Sequence, residues 1–566
     1  MSTDEDRGAT TGANTDYDTT AFREVFERHF TWASGVERNI HRFADRTALT
    51  DSTTGESWTY RRLGAVAGAL VAGLAEHGVG VGDLVAYQLV NRPEFAFLYV
   101  AAQGLRAVSS PMNFRLAPAE TAHILNQSRP RIFVYEAALT ESVRTALELA
   151  EFAPETLVAV GPPEAELLAG AIRFEELLVE GAPSFRAPSG GSVWDETSRL
   201  YTSGTTGMPK AVPLTSLNET LSAHDAIMHF PLGPTDRTMN MSPWFHRGGN
   251  YCAGPNTAFY VGSEVVTLPQ FEPALALDLI ERHRLTYVIG APTNLERLAD
   301  VQEESPRDLS SLSGIVTMGA PLDRAAALRY QSTLTKRIAN GYGTTEAFWN
   351  TYLRPEDLPE AAGAAGRACI DDDVRVVRVY DDRFADPDDL VAKDGLEVGE
   401  VIMRSIKSGY TYLGNPVEQE RKFRDGWMYP GDLASWTEDE MVTIVGRKDD
   451  MIISGGENIH PVQVEEVLAG HPAVADSIVT ALPDPGWGEQ VVAYVVRRAG
   501  QLPDAQEAAG ELDRYCLESD SIGRFKRPRR YAFVDELPYT ATGKKQHFVM
   551  KQRAPRDLAD GLLMTP

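Results

Sequence analysis

From about Ala21 to Val445 the chain alternates between two hydrophobic periods, and this alternation restricts the folds open to it. Leu63–His77 (LGAVAGALVAGLAEH) places apolar residues at helical spacing, and Val85–Leu89 follows as a strand-like run. Arg131–Tyr135, Leu157–Val160, Thr286–Gly290 and Gly314–Met318 repeat that strand character. Helices interleaved with short buried strands predict layered α/β structure around buried sheets. The Ser/Pro/Gly stretch PSFRAPSGGS (183–192) predicts a loop leading into a strand at Arg199–Tyr201. The pattern shifts around Gly446–Asp450. Beyond it, His460–His471 reads as a helix and Val491–Val496 and Tyr531–Val534 as strands, a tail of domain size.

Composition excludes several functions. The formal net charge is −26 and only ten of the 54 basic residues are lysines. With no basic run, a nucleic-acid partner is not expected. No apolar stretch is long enough for a membrane span. The N-terminal residues (MSTDEDRGATTGANTDYDTT) are acidic and polar, which predicts a disordered tail to about Thr20 and a cytoplasmic chain without a leader. Cys252, Cys369 and Cys516 lie far apart with no C-x-x-C, so neither a disulfide framework nor a zinc site is expected from spacing.

The strongest chemical signal is Tyr201–Thr215, YTSGTTGMPKAVPLT. Thr202, Ser203, Thr205 and Thr206 offer hydroxyls, Gly204 and Gly207 permit tight turns with N–H groups facing an anion, and Lys210 adds a cation. Such a loop after a strand suits phosphates, yet it is not the G-x-x-x-x-G-K-[ST] pattern. Four further motifs follow in order: GYGTTE (341–346), YPGD (429–432), GRKDDMIISGGENI (446–459) and PYTATGK (538–544). The set resembles the adenylate-forming superfamily of acyl- and aryl-CoA synthetases, peptide-synthetase adenylation domains and luciferases. The variants GTTEAF and GRKDDMIISGGENIHP look most similar to the aryl-CoA ligases, chlorobenzoate–CoA ligases in particular.

That resemblance implies a fold and a division of labour. The fold is a large N-terminal α/β domain, 21–448, and a small mobile α+β domain, 449–566, turning about Asp449. ATP and AMP contacts fall on the Thr202–Lys210 loop, Gly319, Ala320, Tyr342 (adenine stacking), Gly343, Thr345 (α-phosphate), Asp432 (ribose) and Arg447. Glu346 is the Mg²⁺ carboxylate and Lys544 the catalytic lysine. The family usually has Thr where this chain has Pro430, an aliphatic residue at Lys545 and Arg at His547. The segment SPWFHRGG (242–249) implies an acyl pocket of Trp244, Phe245, His246 and Arg247, joined by Gly341, Phe348 and Trp349, with His246 near the reacting carboxylate. Gly455, Gly456, Trp487, Lys526 and Arg527 are the implied coenzyme A contacts. Read without the resemblance, GYGTTE is equally a glycine-rich turn before a helix, Asp432 a solvated turn carboxylate, and FKRPRR (525–530) a solvated face.

The expected activity is an acid–CoA ligase: carboxylic acid, ATP·Mg²⁺ and CoA to acyl-CoA, AMP and diphosphate through an acyl-adenylate. An aryl or medium-size carboxylic acid is favoured by the aromatic residues, and Arg247 either reads a second polar group on the ring or points to the CoA tunnel or to solvent. The alternatives are an amide synthetase or an acyl-AMP ligase without CoA and, from another class, a binding protein that has lost turnover. Assembly as a monomer or homodimer is left open.

Overall fold

The structure is a computed structural model, and it describes residues 18–203, 208–320, 322–380, 383–454, 457–498, 504–519, 522–539 and 545–566. The loop residues Gly204–Gly207, the Gly455–Gly456 pair and Lys544 therefore lie outside the described residues.

The expected elements are present with shifts of a few residues. The Ala/Gly/Leu-rich run forms helix Tyr60–Glu76, opened by Thr59, whose hydroxyl accepts from the Arg62 N–H and satisfies one otherwise unpaired helix donor. The next run forms strand Leu84–Gln88, buried along its whole length. It lies within a seven-stranded sheet with Val108–Pro111, Ile132–Glu136, Thr156–Val160, Ile172–Arg173, Glu196–Ser203 and Pro209–Thr215. All neighbours in this sheet run parallel except the last two, which form an antiparallel hairpin. Helices on its faces exclude water, which is why its strands read as continuous apolar runs.

A nine-stranded sheet runs in the order Arg367–Ala368, Phe348–Leu353, Ile338–Thr344, Gly314–Met318, Tyr287–Gly290, Arg237–Asn240, Glu264–Val266, Thr47–Thr50, Ser57–Thr59. Its five central neighbour pairs are parallel. A core of Trp32, Tyr60, Phe95, Trp244 and Phe259 joins elements of this sheet to elements of the seven-stranded one. A six-stranded antiparallel sheet spans Asp372–Arg447. A five-stranded sheet with helices Pro461–Ala469, Ala505–Glu518 and His547–Ala559 makes up the C-terminal part. Between these two sheets lies only the short 3-10 turn Lys448–Asp450, where Asp449 is exposed. No helix among the described residues is long and apolar enough to cross a membrane.

Candidate active site

The segments singled out from sequence meet at one edge of the nine-stranded sheet, outside the carboxyl ends of its parallel strands, where open α/β sheets hold ligands. Strand Arg237–Asn240 leads into the 242–249 segment, Gly314–Met318 into Gly319 and Ala320, and Ile338–Thr344 into Thr345 and Glu346. Gly319 and Ala320 are exposed, with Gly319 at φ +92°.

GYGTTE is not a turn before a helix. It ends strand Ile338–Thr344, which turns back antiparallel into Phe348–Leu353 with Thr344 opposite Phe348. Thr345, Glu346 and Ala347 are thus the tip of a hairpin, and Phe348 takes φ +63° directly after it. A bulky side chain in the left-handed region costs about 1–3 kcal/mol and is held only where surroundings determine it. Here the Phe348 ring stacks on Trp349 at 4.9 Å and 15°. Gly343 lies so close to the partner strand that a Cβ there would be 1.7 Å from the Phe348 carbonyl oxygen.

Three pairings organise the nucleotide side. Asp432 and Arg447 are directly opposite across an antiparallel ladder. Arg447 Nη1 donates to Asp432 Oδ1 at 3.1 Å, and the Tyr342 hydroxyl donates to Oδ2 at 2.6 Å. Burial first, then Asp432, raises the Tyr342 phenol and keeps it a donor. Thr202 and Lys210 face each other across the antiparallel strands that flank the phosphate-type segment in sequence. Leu413 bridges Ala211, which brings Tyr412 beside Lys210: its ring centroid lies 5.7 Å from Lys210 Nζ. The Tyr412 hydroxyl in turn donates to Glu346 Oε1. Lys210 itself is buried and donates to Glu418, whose other oxygen accepts from Arg421.

Tyr412, Glu418 and Lys422 were not found from sequence. Lys422 donates to the Pro430 carbonyl, and burial, then Arg447, lowers its ammonium. Its scarcity value as one of ten lysines, ten residues before Asp432, was the available signal. Tyr412 and Glu418 carry no local motif; only the strand pairing at Leu413 brings them in.

The acyl side differs from the expectation in two residues. Arg247 does not face open space. It is 2% exposed, and its guanidinium donates to the carbonyls of Thr345 (2.9 Å) and Lys407 (2.7 Å) and to Ser222 Oγ (3.0 Å). It also lies over the rings of Tyr251 and Phe348. Burial pushes its guanidinium down to about 10. Trp244 is fully buried in the inter-sheet core, edge-on to Phe95 at 5.6 Å, rather than lining a pocket. Phe245 is buried between Phe114 and the His246 ring. His246 precedes the short helix Arg247–Tyr251 and is half-buried. Trp349 is also buried, its indole lying on the backbone of Gly341, where a Cβ would be 2.8 Å from Nε1. Behind this wall the Glu219 carboxylate accepts from Tyr99, Gln103, Thr197, Ser198 and Tyr251, five donors that tie the phosphate-loop strand to helix Ser216–His229.

Of the coenzyme A candidates, Trp487 is 58% exposed. Lys526 Nζ donates to Gln463, and Arg527 is paired with Asp513 at 2.8 Å, so the guanidinium of Arg527 is already engaged.

Motifs of this kind gathered at the carboxyl ends of parallel strands point to an adenylate-forming enzyme. The profile of the AMP-binding enzyme family matches residues 36–413 and that of the AMP-binding enzyme C-terminal domain matches 463–544, and the chain belongs to this family. It is 32% identical over 511 residues to an indoleacetate–CoA ligase of Aromatoleum aromaticum, covering 88% of this chain and 93% of that protein. It is 29% identical over 530 residues to a 4-chlorobenzoate–CoA ligase of Arthrobacter, covering 93% and 95%. Among solved structures it is similar to the anthranilate CoA ligase AuaEII in complex with anthranoyl-AMP, with TM-score 0.81, 26% identity and coverage of 94% and 98%.

Proposed function

We propose that the chain is an ATP-dependent acid–CoA ligase acting on an aryl or arylalkanoic acid. The observation that carries this reading is the bracket formed around Tyr412. Lys210, paired with Glu418, lies 5.7 Å from the centre of its ring and Glu346 accepts a hydrogen bond from its hydroxyl, so a cation and a carboxylate flank Tyr412. A triphosphate with Mg²⁺ needs that pairing. Glu346, at a hairpin tip and oriented by a phenol, is a suitable hard ligand, and Mg²⁺ there supplies charge neutralisation at the phosphates. Asp432, already aligned by Tyr342 and Arg447, accepts the ribose hydroxyls, and Tyr342 presents its ring to adenine. Thr345 donates to the α-phosphate, and Lys544 stabilises the charge that develops as the carboxylate attacks.

Arg247 acts here as a strut. By holding the Thr345 carbonyl it fixes the hairpin tip, while His246 and the Phe348–Trp349 stack border the acid. In the second half-reaction the 449–566 domain turns about Asp449 relative to 21–448, and the CoA thiolate displaces AMP with no protein nucleophile. Gly455, Gly456, Trp487 and Lys526 line the thiol route. The enzyme works in the cytoplasm, as a monomer or homodimer, without nucleic acid or membrane. Its acidic charge of −26 and the names of its aryl-acid relatives support this reading. The test is pyrophosphate release from ATP with benzoate, hydroxybenzoates, phenylacetate, indoleacetate and C4–C12 fatty acids, with CoA, with an amine, or with neither. Thioester formation from an aryl acid is expected. Amide product without thioester, or a preference for C8 and longer chains, overturns the acceptor or the acid assignment respectively.

A further inference from the structure

Sequence spacing gave no reason to expect a metal cluster, but the fold assembles one away from the nucleotide cradle. Helix Ser216–His229 carries Asp225 and His229 at i and i+4, on one face. Their side chains are 3% and 2% exposed. Cys369 follows strand Arg367–Ala368 at the edge of the nine-stranded sheet and is buried, its N–H donating to the Asn350 carbonyl. A carboxylate oxygen of Asp225, a ring nitrogen of His229 and the sulfur of Cys369 all lie within 4.8 Å of one another.

Hydrogen bonding leaves this cluster incomplete. Among the described residues, Asp225 Oδ1 and His229 Nε2 have no hydrogen-bond partner, whereas Asp225 Oδ2 is ion-paired with Lys407. Buried groups of this kind are nearly always satisfied by protein, water or an ion. Their neighbours are ionic. Lys407 Nζ lies 3.0 Å from Asp225 Oδ2 and donates to Asp372 Oδ2 at 2.9 Å. His229 Nε2 stands 3.5 Å from Asp225 Oδ1. Lys407 therefore orients one side of the carboxylate and leaves Oδ1 facing the imidazole and the thiol. The His229 ring is fixed by stacking on Tyr352 at 4.9 Å. Of the three residues, His229 borders a cavity. A cavity of about 190 Å³, lined in part by Met228, His229, Phe230, Tyr287, Tyr352 and Arg354, opens at the amino ends of the parallel strands, the edge opposite the nucleotide cradle.

We propose that Asp225 Oδ1, His229 Nε2 and Cys369 Sγ bind one transition-metal dication of zinc type, with water from the cavity completing a tetrahedral shell. One oxygen, one imidazole nitrogen and one thiolate suit zinc, at bond lengths of about 2.0–2.3 Å. Binding forms a metal–sulfur bond, breaks the Cys369 S–H bond and releases the proton to solvent. The resulting thiolate and the Asp225 carboxylate neutralise the dication, and Lys407 serves as the partner that fixes a ligating carboxylate from behind. The site is structural: it staples helix Ser216–His229 to the sheet edge, next to the Lys407 segment whose carbonyl holds Arg247.

The test uses the full chain, stripped with a chelator and dialysed, then titrated with Co²⁺ as the probe and displaced with Zn²⁺. One equivalent is expected, with a thiolate-to-cobalt charge-transfer band that is lost in Cys369→Ser, weakened in His229→Gln, and abolished by Zn²⁺. Zn²⁺ should raise the Tm of the wild type and not that of Cys369→Ser. Absence of the band in the wild type at excess Co²⁺, or an equal band in Cys369→Ser, overturns the site. If a variant does not fold, the wild-type spectrum and its Zn²⁺-dependent Tm decide alone.

Discussion

The two sides of the candidate site use charge in opposite ways. On the nucleotide side, Arg447 is 40% exposed at its side chain and meets a carboxylate that also accepts from Tyr342. Those partners are ones a ribose can join or replace. On the acyl side, Arg247 is 2% exposed and all three of its recorded acceptors are protein oxygens, two of them main-chain carbonyls. A buried cation with fixed hydrogen bonds is costly to disturb, so it shapes the site without being available to a ligand. An arginine next to a substrate motif is therefore not by itself a specificity residue. Whether its donors face protein or open space is decisive.

Substitutions on each side should separate accordingly. The largest effect is expected at Lys544, where Lys544→Ala should lower adenylation roughly 100–1,000-fold, the value of one aimed transition-state donor. Thioester formation from supplied acyl-AMP should persist. Normal pyrophosphate release in this variant would remove Lys544 from the reaction. Asp432→Ala should raise the KM for ATP by roughly 10–100-fold, since hydrogen bonds to a charged group are worth about 1.5–3 kcal/mol each. The KM for the acid should hardly move, and equal loss for both substrates would show that Asp432 supports the fold instead.

Arg247→Met sharpens the contrast. It removes the Arg247 donor from two buried acceptors and from the part-buried Thr345 carbonyl, so urea denaturation should show a loss of about 1–3 kcal/mol, with a lower kcat from a loosened Thr345. The ranking of aryl acids should stay as in the wild type. A reordered ranking would restore Arg247 as a substrate reader. The smallest effect is expected for Tyr412→Phe, which removes one hydrogen bond to the Glu346 carboxylate worth about 1.5 kcal/mol, the low end for a charged acceptor. Up to roughly a tenfold rise in the Mg²⁺ concentration for half-maximal rate should follow, and no change would detach Tyr412 from the carboxylate proposed to hold Mg²⁺.

Much of the fold was open to inspection in the residues. Short β-branched runs between amphipathic segments placed the strands Leu84–Gln88, Ile132–Glu136, Thr156–Val160 and Gly314–Met318 within a residue or two, because burial on both sheet faces demands apolar continuity. The five ordered motifs identified the family and the nucleotide chemistry, since phosphate, ribose and metal contacts depend on short runs of specific side chains. What lay beyond the sequence was set by pairing between distant segments. The Leu413 bridge puts Tyr412 between Lys210 and Glu346, and the hairpin at Thr345 turns a supposed helix start into a strand tip. Packing of Arg247 under that tip converts a candidate reader into a strut. The same packing brings Cys369 to Asp225 and His229. Local residue types determined which chemistry the chain can perform. Only the tertiary structure decided which polar groups are already satisfied by protein, because a donor's availability depends on what the fold brings within about 3 Å of it.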